Sequence, residues 1–578
     1  MSNLTIILIA TMSLIPFSIP CHAQTSGPRN NSPLSVRPTP KPVLEPQRLP
    51  PLEDILPKIE TDENKLLFPG EEFTGTITVS KFNIVGSTIF SLQELEAVLA
   101  PYRGKPISFA ELLQAADAIT KLYVRQGYVT SSAFIPPQAL QNGSLEADSP
   151  QVVLIEIIEG SVEEIQIKGL KQLNPSYVRS RLETAIAPPL NQDKLLDALQ
   201  LLQLDPLIQN LSVELRARRR RGMSVLEIKV IEADLKAVQL TTDNQRSPSI
   251  GSVRRKIELT FHNPLGVGDR LQVGYINTEG SNSLDNLRYT IPINPRNGTL
   301  SFGHTHTESE IVEEPFDLLQ IESKTLNYEI TYRQPILRFP NEEFALGLTA
   351  SVQDSEVTFL EGVPFPNGAD GNGNTKISAL RFFQEYTKRN NQQVFTLHSE
   401  FSLGVDAFGA SLNSGDIPDS DFLAWRGQGQ YLRLLSQEGI TLLVRTDIQL
   451  ANKALVPLEQ FSVGGQLSVR GYRQDTLLAD NGVFASAEIR FPILSIPDWD
   501  STLILSPFFD FGTVWNSRGS NIERDKSTLY SVGVGLRFNI GENFNARVDY
   551  GIPLVNVNKI GNTLQENGFY FEVQYKPF

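Results

Sequence analysis

Arg470 is the residue whose surroundings most clearly call for chemistry. It stands in Phe461-Ser-Val-Gly-Gly465-Gln-Leu-Ser-Val469-Arg470-Gly471-Tyr472, a stretch of apolar and aromatic residues with glycine beside the cation. A solvated loop tip has no use for that company. A loop folded back into a lumen does, provided the guanidinium meets a carboxylate, because an unpaired buried charge costs on the order of 3–5 kcal/mol. Asp510 is the candidate partner. In Phe508-Phe-Asp510-Phe-Gly512, side chains alternate between the two faces of a strand. Phe508, Asp510 and Gly512 therefore share one face, opposite Leu505, Phe509 and Phe511. With the apolar face toward lipid, Asp510 points inward, where a charge-assisted pair with Arg470 would hold the loop.

Other candidate chemistry is thin. The five histidines are His22, His262, His304, His306 and His398, and none has the i, i+4 spacing of a helical zinc site. Asp370-Gly-Asn372-Gly-Asn374 begins like a calcium loop, yet Thr375 and Arg381 stand where Gly and Glu are required, so it reads as a surface loop. Cys21 is the single cysteine. No catalytic residue, metal or cofactor is expected, and the chain does not read as an enzyme.

The elements that must position Arg470 follow from periodicity. From Asp234 to Phe578 alternation of period two dominates, as in Val532, Val534, Leu536, Phe538 and Ile540 with Ser531, Gly533, Gly535, Arg537 and Asn539 between them. Segments of about ten residues suit a tilted strand crossing a bilayer. A closed barrel follows, because a spanning sheet leaves no edge unpaired in lipid. At roughly 21 residues per strand and connection, the segment 234–578 holds about sixteen strands. The Arg470 motif falls in a long loop near 456–482, folded inward.

Ahead of the barrel lie two small repeats of order β-α-α-β-β. In the first, 73–160, capping boxes Ser91-Leu-Gln-Glu94 and Ser108-Phe-Ala-Glu111 start helices. The second of these helices carries Leu112, Ala116, Ile119 and Tyr123 on one face, and a strand is expected over Val129 to Pro136. In the second repeat, 161–233, Ile165 to Lys168 reads as a short strand. Asn174-Pro175 and Asn191 cap helices, and Asp205-Pro206 breaks the chain before the last hairpin. Arg216, Arg218, Arg219, Arg220 and Arg221 crowd that hairpin's turn; they read as a solvated turn, or as a contact for anionic lipid or an acidic segment.

These repeats resemble POTRA domains. Tyr123-Val-Arg-Gln-Gly127-Tyr128 with Phe134-Ile135-Pro136-Pro137-Gln138 resembles the first POTRA domain of two-partner secretion transporters of the haemolysin activator/secretion type. Val469-Arg470-Gly471-Tyr472 is similar to the loop-six signature of the wider superfamily of POTRA-containing outer-membrane barrels. Phe508-x-Asp510-x-Gly512 is similar to its strand motif, and Ala487-Glu488-Ile-Arg490-Phe-Pro492 to a further strand. The resemblance covers Thr76 to the C-terminus. It implies α+β POTRA repeats in the periplasm, followed by a transmembrane antiparallel β-barrel of sixteen strands in the outer membrane of a Gram-negative-type envelope. It implies that Arg470 pairs with Asp510 in the lumen. It also implies that Tyr123, Tyr128, Phe134, Pro136 and Gln138 are candidates for client binding, and that the terminal Phe578 is the signal for the barrel-assembly machinery. The implied function is capture of one large, unfolded, β-helix-forming client and its secretion through the barrel, with outer-membrane lipid around it. The alternative within the superfamily is a protein insertase or precursor-import pore.

The remaining segments agree with export. Residues 1–23 read as a signal peptide, with an apolar run from Leu4 to Pro20 and a small-x-small end at Cys21-His22-Ala23. Residues 24–72 form a proline-rich linker in which Leu52 to Ile59 is a candidate plug interrupted by Pro57. With 51 basic against 65 acidic residues, the net charge of −14 argues against nucleic acid as a partner.

Overall fold

The computed structural model describes residues 76–136, 151–360, 362–364, 370, 372–414, 417–517 and 527–577. The expected signal peptide and proline-rich linker, with Pro137, Gln138 and Phe578, lie outside them.

The first small domain runs β1 (Thr76–Val85), α1 (Leu92–Leu99), β2 (Pro106–Ser108), α2 (Phe109–Arg125), β3 (Ser132–Phe134) and β4 (Gln151–Ile158). Both expected capping boxes form, Ser91 with Glu94 and Ser108 with Glu111. The strand expected over Val129 to Pro136 shrinks to Ser132–Phe134 because the chain first turns tightly, Tyr128 N donating to Tyr123 O and Ser131 N to Tyr128 O. Pro106–Ser108 adds a short strand that periodicity did not show. It pairs antiparallel with Thr76–Thr78, while β4 pairs parallel with β1. The apolar stripe of α2 packs on this sheet, burying Leu112, Ala116, Ile119 and Tyr123.

The second domain runs β5 (Ser161–Lys168), α3 (Pro175–Glu183), α4 (Gln192–Gln203), β6 (Ile208–Ala217) and β7 (Met223–Glu232). Its first strand is longer than Ile165 to Lys168, because Ser161 and Val162 already pair with Met223 and Ser224. Asn174 and Asn191 cap α3 and α4 through their side-chain oxygens. The two domains are joined closely. Gln192 N donates to Gly127 O at 2.8 Å, Leu190 N to Gly160 O at 2.7 Å, and Asn191 Nδ2 to Gln126 O at 3.0 Å.

From Lys236 the chain enters a closed antiparallel barrel of sixteen strands. Closure is made by the first strand, Lys236–Asp243, against the last, Phe569–Tyr575. The strands are unequal: those two have 8 and 7 residues, whereas the sixth and seventh, Glu322–Phe339 and Glu342–Phe359, have 18 each. Alternation does what the sequence implied. Phe509, Val532, Val534, Leu536, Val548, Tyr550 and Phe569 are exposed on the outer wall, while Asp510, Ser531, Asp549 and Tyr570 are buried on the inner one.

The two ends of the barrel are distinguished by the second domain. Its Asn174 N donates to Gly266 O at 2.9 Å, and Arg181 Nη2 donates to Asn297 Oδ1 at 2.7 Å, both acceptors lying in turns at one end of the wall. Strand alternation then places the loop between the eleventh strand, Thr441–Ala451, and the twelfth, Asn481–Ile496, at the opposite end.

Candidate functional site: a loop latched in the barrel lumen

The loop 452–480 enters the lumen and is held there through Arg470, whose side chain is 0% exposed. The thirteenth strand, Ser501–Trp515, supplies Asp510. Arg470 Nε donates to Asp510 Oδ2 at 2.7 Å and Nη2 to Asp510 Oδ1 at 2.9 Å, a bidentate fork closed by the backbone N–H of Arg470 on Oδ2 at 3.1 Å. Ser486 Oγ donates to Asp510 Oδ1 at 2.6 Å. The Arg470 guanidinium carbon lies 3.3 Å from the centre of the Phe508 ring, so the cation is stacked as well as paired.

The three residues of Phe508-x-Asp510-x-Gly512 thus act differently, with Phe508 as the platform and Asp510 as the acceptor. Gly512 makes room, since a Cβ there would stand 2.4 Å from Val463 Cγ1 and 2.9 Å from Val469 Cγ2. Val469 is buried with Phe461, Val463 and Tyr472 of the loop and with Phe484, Val514 and Leu529 of the wall, so the loop packs an apolar core against the barrel. Gly471 has φ +94° and lies against Gly551 of the fifteenth strand, Phe544–Pro553; a Cβ on Gly551 would be 2.5 Å from Gly471 N. Only glycine fits both sides of that approach.

Glu488 and Arg490 also join the cluster. Arg470 Nη1 donates to Glu488 Oε2 at 2.9 Å, and Arg490 Nε to Glu488 Oε1 at 2.9 Å. The sequence marked both residues only as part of a strand motif. Four further residues contribute, of which the alternation along the last strands set Arg547, Asp549 and Tyr570 opposite the outward side chains without marking them as site residues. Asp549 stands 3.8 Å from Arg470 Nη1 and pairs with Arg547 at 2.8 Å. Gln466 Nε2 donates to Asp549 Oδ2 at 2.9 Å. Tyr570 Oη accepts from Gly471 N at 2.9 Å and donates to Tyr472 O. Parity holds here: Asp549 and Tyr570 are buried and alternate with outward Val548, Tyr550 and Phe569. Three guanidinium groups (Arg470, Arg490, Arg547) thus meet three carboxylates (Asp510, Glu488, Asp549). Tyr472 completes the attachment: its hydroxyl donates to Tyr530 O at 2.9 Å and accepts from Val555 N at 2.9 Å.

The client-binding candidates in the first domain need correction. Tyr123 is 0% exposed and Pro136 is buried, so neither presents a surface. The reason is the helical stripe itself, which turns Tyr123 toward the sheet with Leu112, Ala116 and Ile119. Its hydroxyl donates to Glu159 Oε1 at 2.7 Å, and Tyr128 packs edge-on against its ring. Burial pushes the Tyr123 hydroxyl above the ordinary tyrosine range. Phe134 is half-buried, with Arg221 of the basic run 5.1 Å from its ring centre. These residues build the first domain's core and its joint to the second. The basic run lies at the same joint, Arg216 pairing with Glu214 and Glu227, and Arg218 with Glu164. The ten-residue strand β7 lies in the chain between this run and the barrel.

A sixteen-stranded barrel with an inner wall of charges, its own loop latched inside and two small α+β domains at one mouth is the form of an outer-membrane pore that handles polypeptides. Comparison with known proteins agrees. Residues 222–538 match the family of haemolysin secretion/activation proteins ShlB/FhaC/HecB, and residues 77–148 match the ShlB-type POTRA domain. The chain belongs to the haemolysin secretion/activation protein family. It is 24% identical over 487 residues to the outer membrane transporter CdiB of Escherichia coli, covering 83% of this chain and 79% of that protein. It is 23% identical over 489 residues to the heme/hemopexin transporter protein HuxB of Haemophilus influenzae, covering 80% and 81%. The solved structure of CdiB from Escherichia coli has the same fold, with a TM-score of 0.66 at 21% identity over 91% of this chain and 94% of that one. BamA from Haemophilus ducreyi lacking POTRA domains 1–3 shares it more distantly, with a TM-score of 0.51 at 16% identity over 86% and 100%. The chain is accordingly a two-partner secretion transporter of the outer membrane, its POTRA domain on the periplasmic side.

Proposed function

We propose that this transporter carries one dedicated exported protein, unfolded, from the POTRA domains through the lumen, and that the Arg470 loop is the part of the lumen on which passage depends. The observation that supports this is the ion-pair cluster around Arg470, which holds an apolar loop across the route a client would take. In this reading Arg470, Asp510 and Glu488 position the loop. Phe508 and Gly512 shape its seat, Val469, Gly471 and Tyr472 fit it to the wall, and Arg490 balances the charge. The client is large and forms a β-helix outside, its folding drawing the chain outward. Lipid surrounds the barrel, and the barrel-assembly machinery inserts it. Since Tyr123 and Pro136 are buried, the client meets the POTRA domains by adding a strand to a sheet edge rather than at those rings.

The test compares secreted and outer-membrane proteins from cells with the intact chain, its deletion and Arg470→Ala. Removing Arg470 leaves buried Asp510 without its cation, while Glu488 keeps Arg490 and Asp549 keeps Arg547, at a cost on the order of 3–5 kcal/mol. Loss of one large protein from the medium with an unchanged outer-membrane profile is the expected outcome. Broad depletion of other barrels would make the protein an insertase, and no change in either would sink the reading.

A further inference from the structure

Three residues beyond Arg470 the same loop carries another arginine. Arg473 Nη1 donates to Glu313 Oε1 at 2.6 Å and to Glu566 Oε1 at 3.3 Å, and Nη2 also reaches Glu313. Glu313 belongs to the loop after the fifth strand, Thr299–Glu310, and Glu566 to the loop before the sixteenth. The Arg473 loop leaves the eleventh strand. One side chain therefore joins three loops spread around the outer mouth, one of them six strands away across the barrel.

Both acceptors are held without Arg473. Glu566 already accepts from Gly561 N at 2.8 Å and from Thr563 N at 2.9 Å. The Glu313 loop is fixed by Val312 N donating to Ser249 O at 2.9 Å and by Ile311 N donating to Ile321 O at 3.0 Å. Gln474 N, next to Arg473, donates to Gln565 Oε1 at 2.8 Å, and Gln565 Nε2 reaches Arg246 O beyond the first strand at 2.7 Å. The Arg473 and Glu313 side chains are each 13% exposed, whereas Arg470 and Asp510 are 0%. A pair in partial contact with water is weaker and more readily screened by salt than a dry one. The two attachments of one loop therefore differ in strength.

The geometry points to Arg473 as the release point of the outer mouth: the bridge from Arg473 to Glu313 and Glu566 keeps the exit shut and breaks first, while the Arg470 cluster stays anchored. This rests on the reading that the client leaves by this mouth. The bridge makes no contact with the Arg470 carboxylates, and when it opens the buried Glu566 keeps the N–H groups of Gly561 and Thr563.

The test uses the full-length protein in planar bilayers, reading the fraction of time in a conducting state. Arg473→Ala raises that fraction roughly tenfold, equivalent to about 1.4 kcal/mol. Glu313→Ala raises it less, because Glu566 remains. The double variant behaves like Arg473→Ala alone, since the bridge can be lost only once. Raising the salt opens the wild-type channel and does little to Arg473→Ala. Lys453→Ala breaks the Lys453–Asp419 bridge between loops on one side of the mouth and leaves the fraction unchanged. Additive effects of Arg473→Ala and Glu313→Ala, equal opening by Lys453→Ala, or no opening by Arg473→Ala in protein with the wild type's heat-modifiable mobility would each overturn the proposal. If Arg473→Ala does not insert, Glu313→Ala and the wild-type salt response decide. The electrical result does not depend on a client, so opening as expected without secretion in the cell assay would count against the transport reading alone.

Discussion

The two POTRA-like domains share a frame to the residue and differ in what covers it. In each, a glycine with positive φ follows the first strand, Gly86 at +94° and Gly169 at +90°. Five residues later comes the helix cap, Ser91 or Asn174. The final strand closes on a glutamate that gathers the turn's N–H groups: Glu159 accepts from Thr88 and Ile89, and Glu232 from Lys171, Gln172 and Leu173. The coverings differ. In the second domain α3 meets the barrel, where Tyr177 carries the stacked Arg181 guanidinium at 3.4 Å and Gly268 of a barrel turn lies against its ring. The corresponding helix of the first domain leaves Leu92 53% exposed. The edge strands differ too, three residues each in the first domain against eight and ten in the second. The repeat thus sets how each domain holds itself, and place in the chain sets which surface is free.

The frame can be broken most severely at its glycines. A Cβ on Gly86 would stand 2.2 Å from Ile157 O, and one on Gly169 2.3 Å from Val230 O. Gly86→Ala and Gly169→Ala should each cost about 2–4 kcal/mol, read as lowered urea midpoints for protease cutting within the affected domain. A mild effect in one domain alone would end the equivalence. The coverings are separated by Arg181→Ala, which removes the stack and the bond to Asn297. It should weaken docking on the barrel by about 1–2 kcal/mol and broaden spin-label distances between the second domain and the barrel. Leu92→Ala, at the matching face of the first domain, should leave them unchanged. Tyr123→Phe removes only the hydroxyl shared by Glu159 and Ser87 and should cost the first domain about 1 kcal/mol, seen in the same protease assay.

The smallest effect is with pH. Burial alone would raise Glu159 and Glu232, but the hydrogen bonds they accept outweigh it and hold both below the ordinary glutamate value of 4.5. Each contribution is complete above that value and is lost as pH falls through the lowered folded one. Resistance to protease should therefore fall in both domains below about pH 4.5. Glu159→Gln should flatten the response of the first domain and Glu232→Gln that of the second; a response untouched by either places the acid sensitivity elsewhere.

What could be read in advance was local or periodic. Capping boxes at Ser91 and Ser108, caps at Asn174 and Asn191, and alternation along the barrel strands depend on neighbours in the chain, and the structure forms them where the residues stand. Parity alone turned Asp510 inward, and the apolar surroundings of Arg470 demanded a carboxylate. The family motif in the first domain was harder to interpret. A motif shows that residues matter but not whether they matter as surface or as core, and Tyr123 proves to be core.

Thus the sequence by itself determined the order of the longer elements, the inward and outward faces of the barrel wall, and the need of Arg470 for a buried partner. Tertiary structure decided which strands stand across from one another. Only there do Glu488 and Asp549 join Asp510, Tyr570 meets Gly471, and Arg473 spans loops more than ninety residues apart on either side of it. The physical reason is closure. Once the first strand pairs with the last, residues remote along the chain share one enclosed space, and charges confined there must be balanced by whichever partners the ring brings within reach.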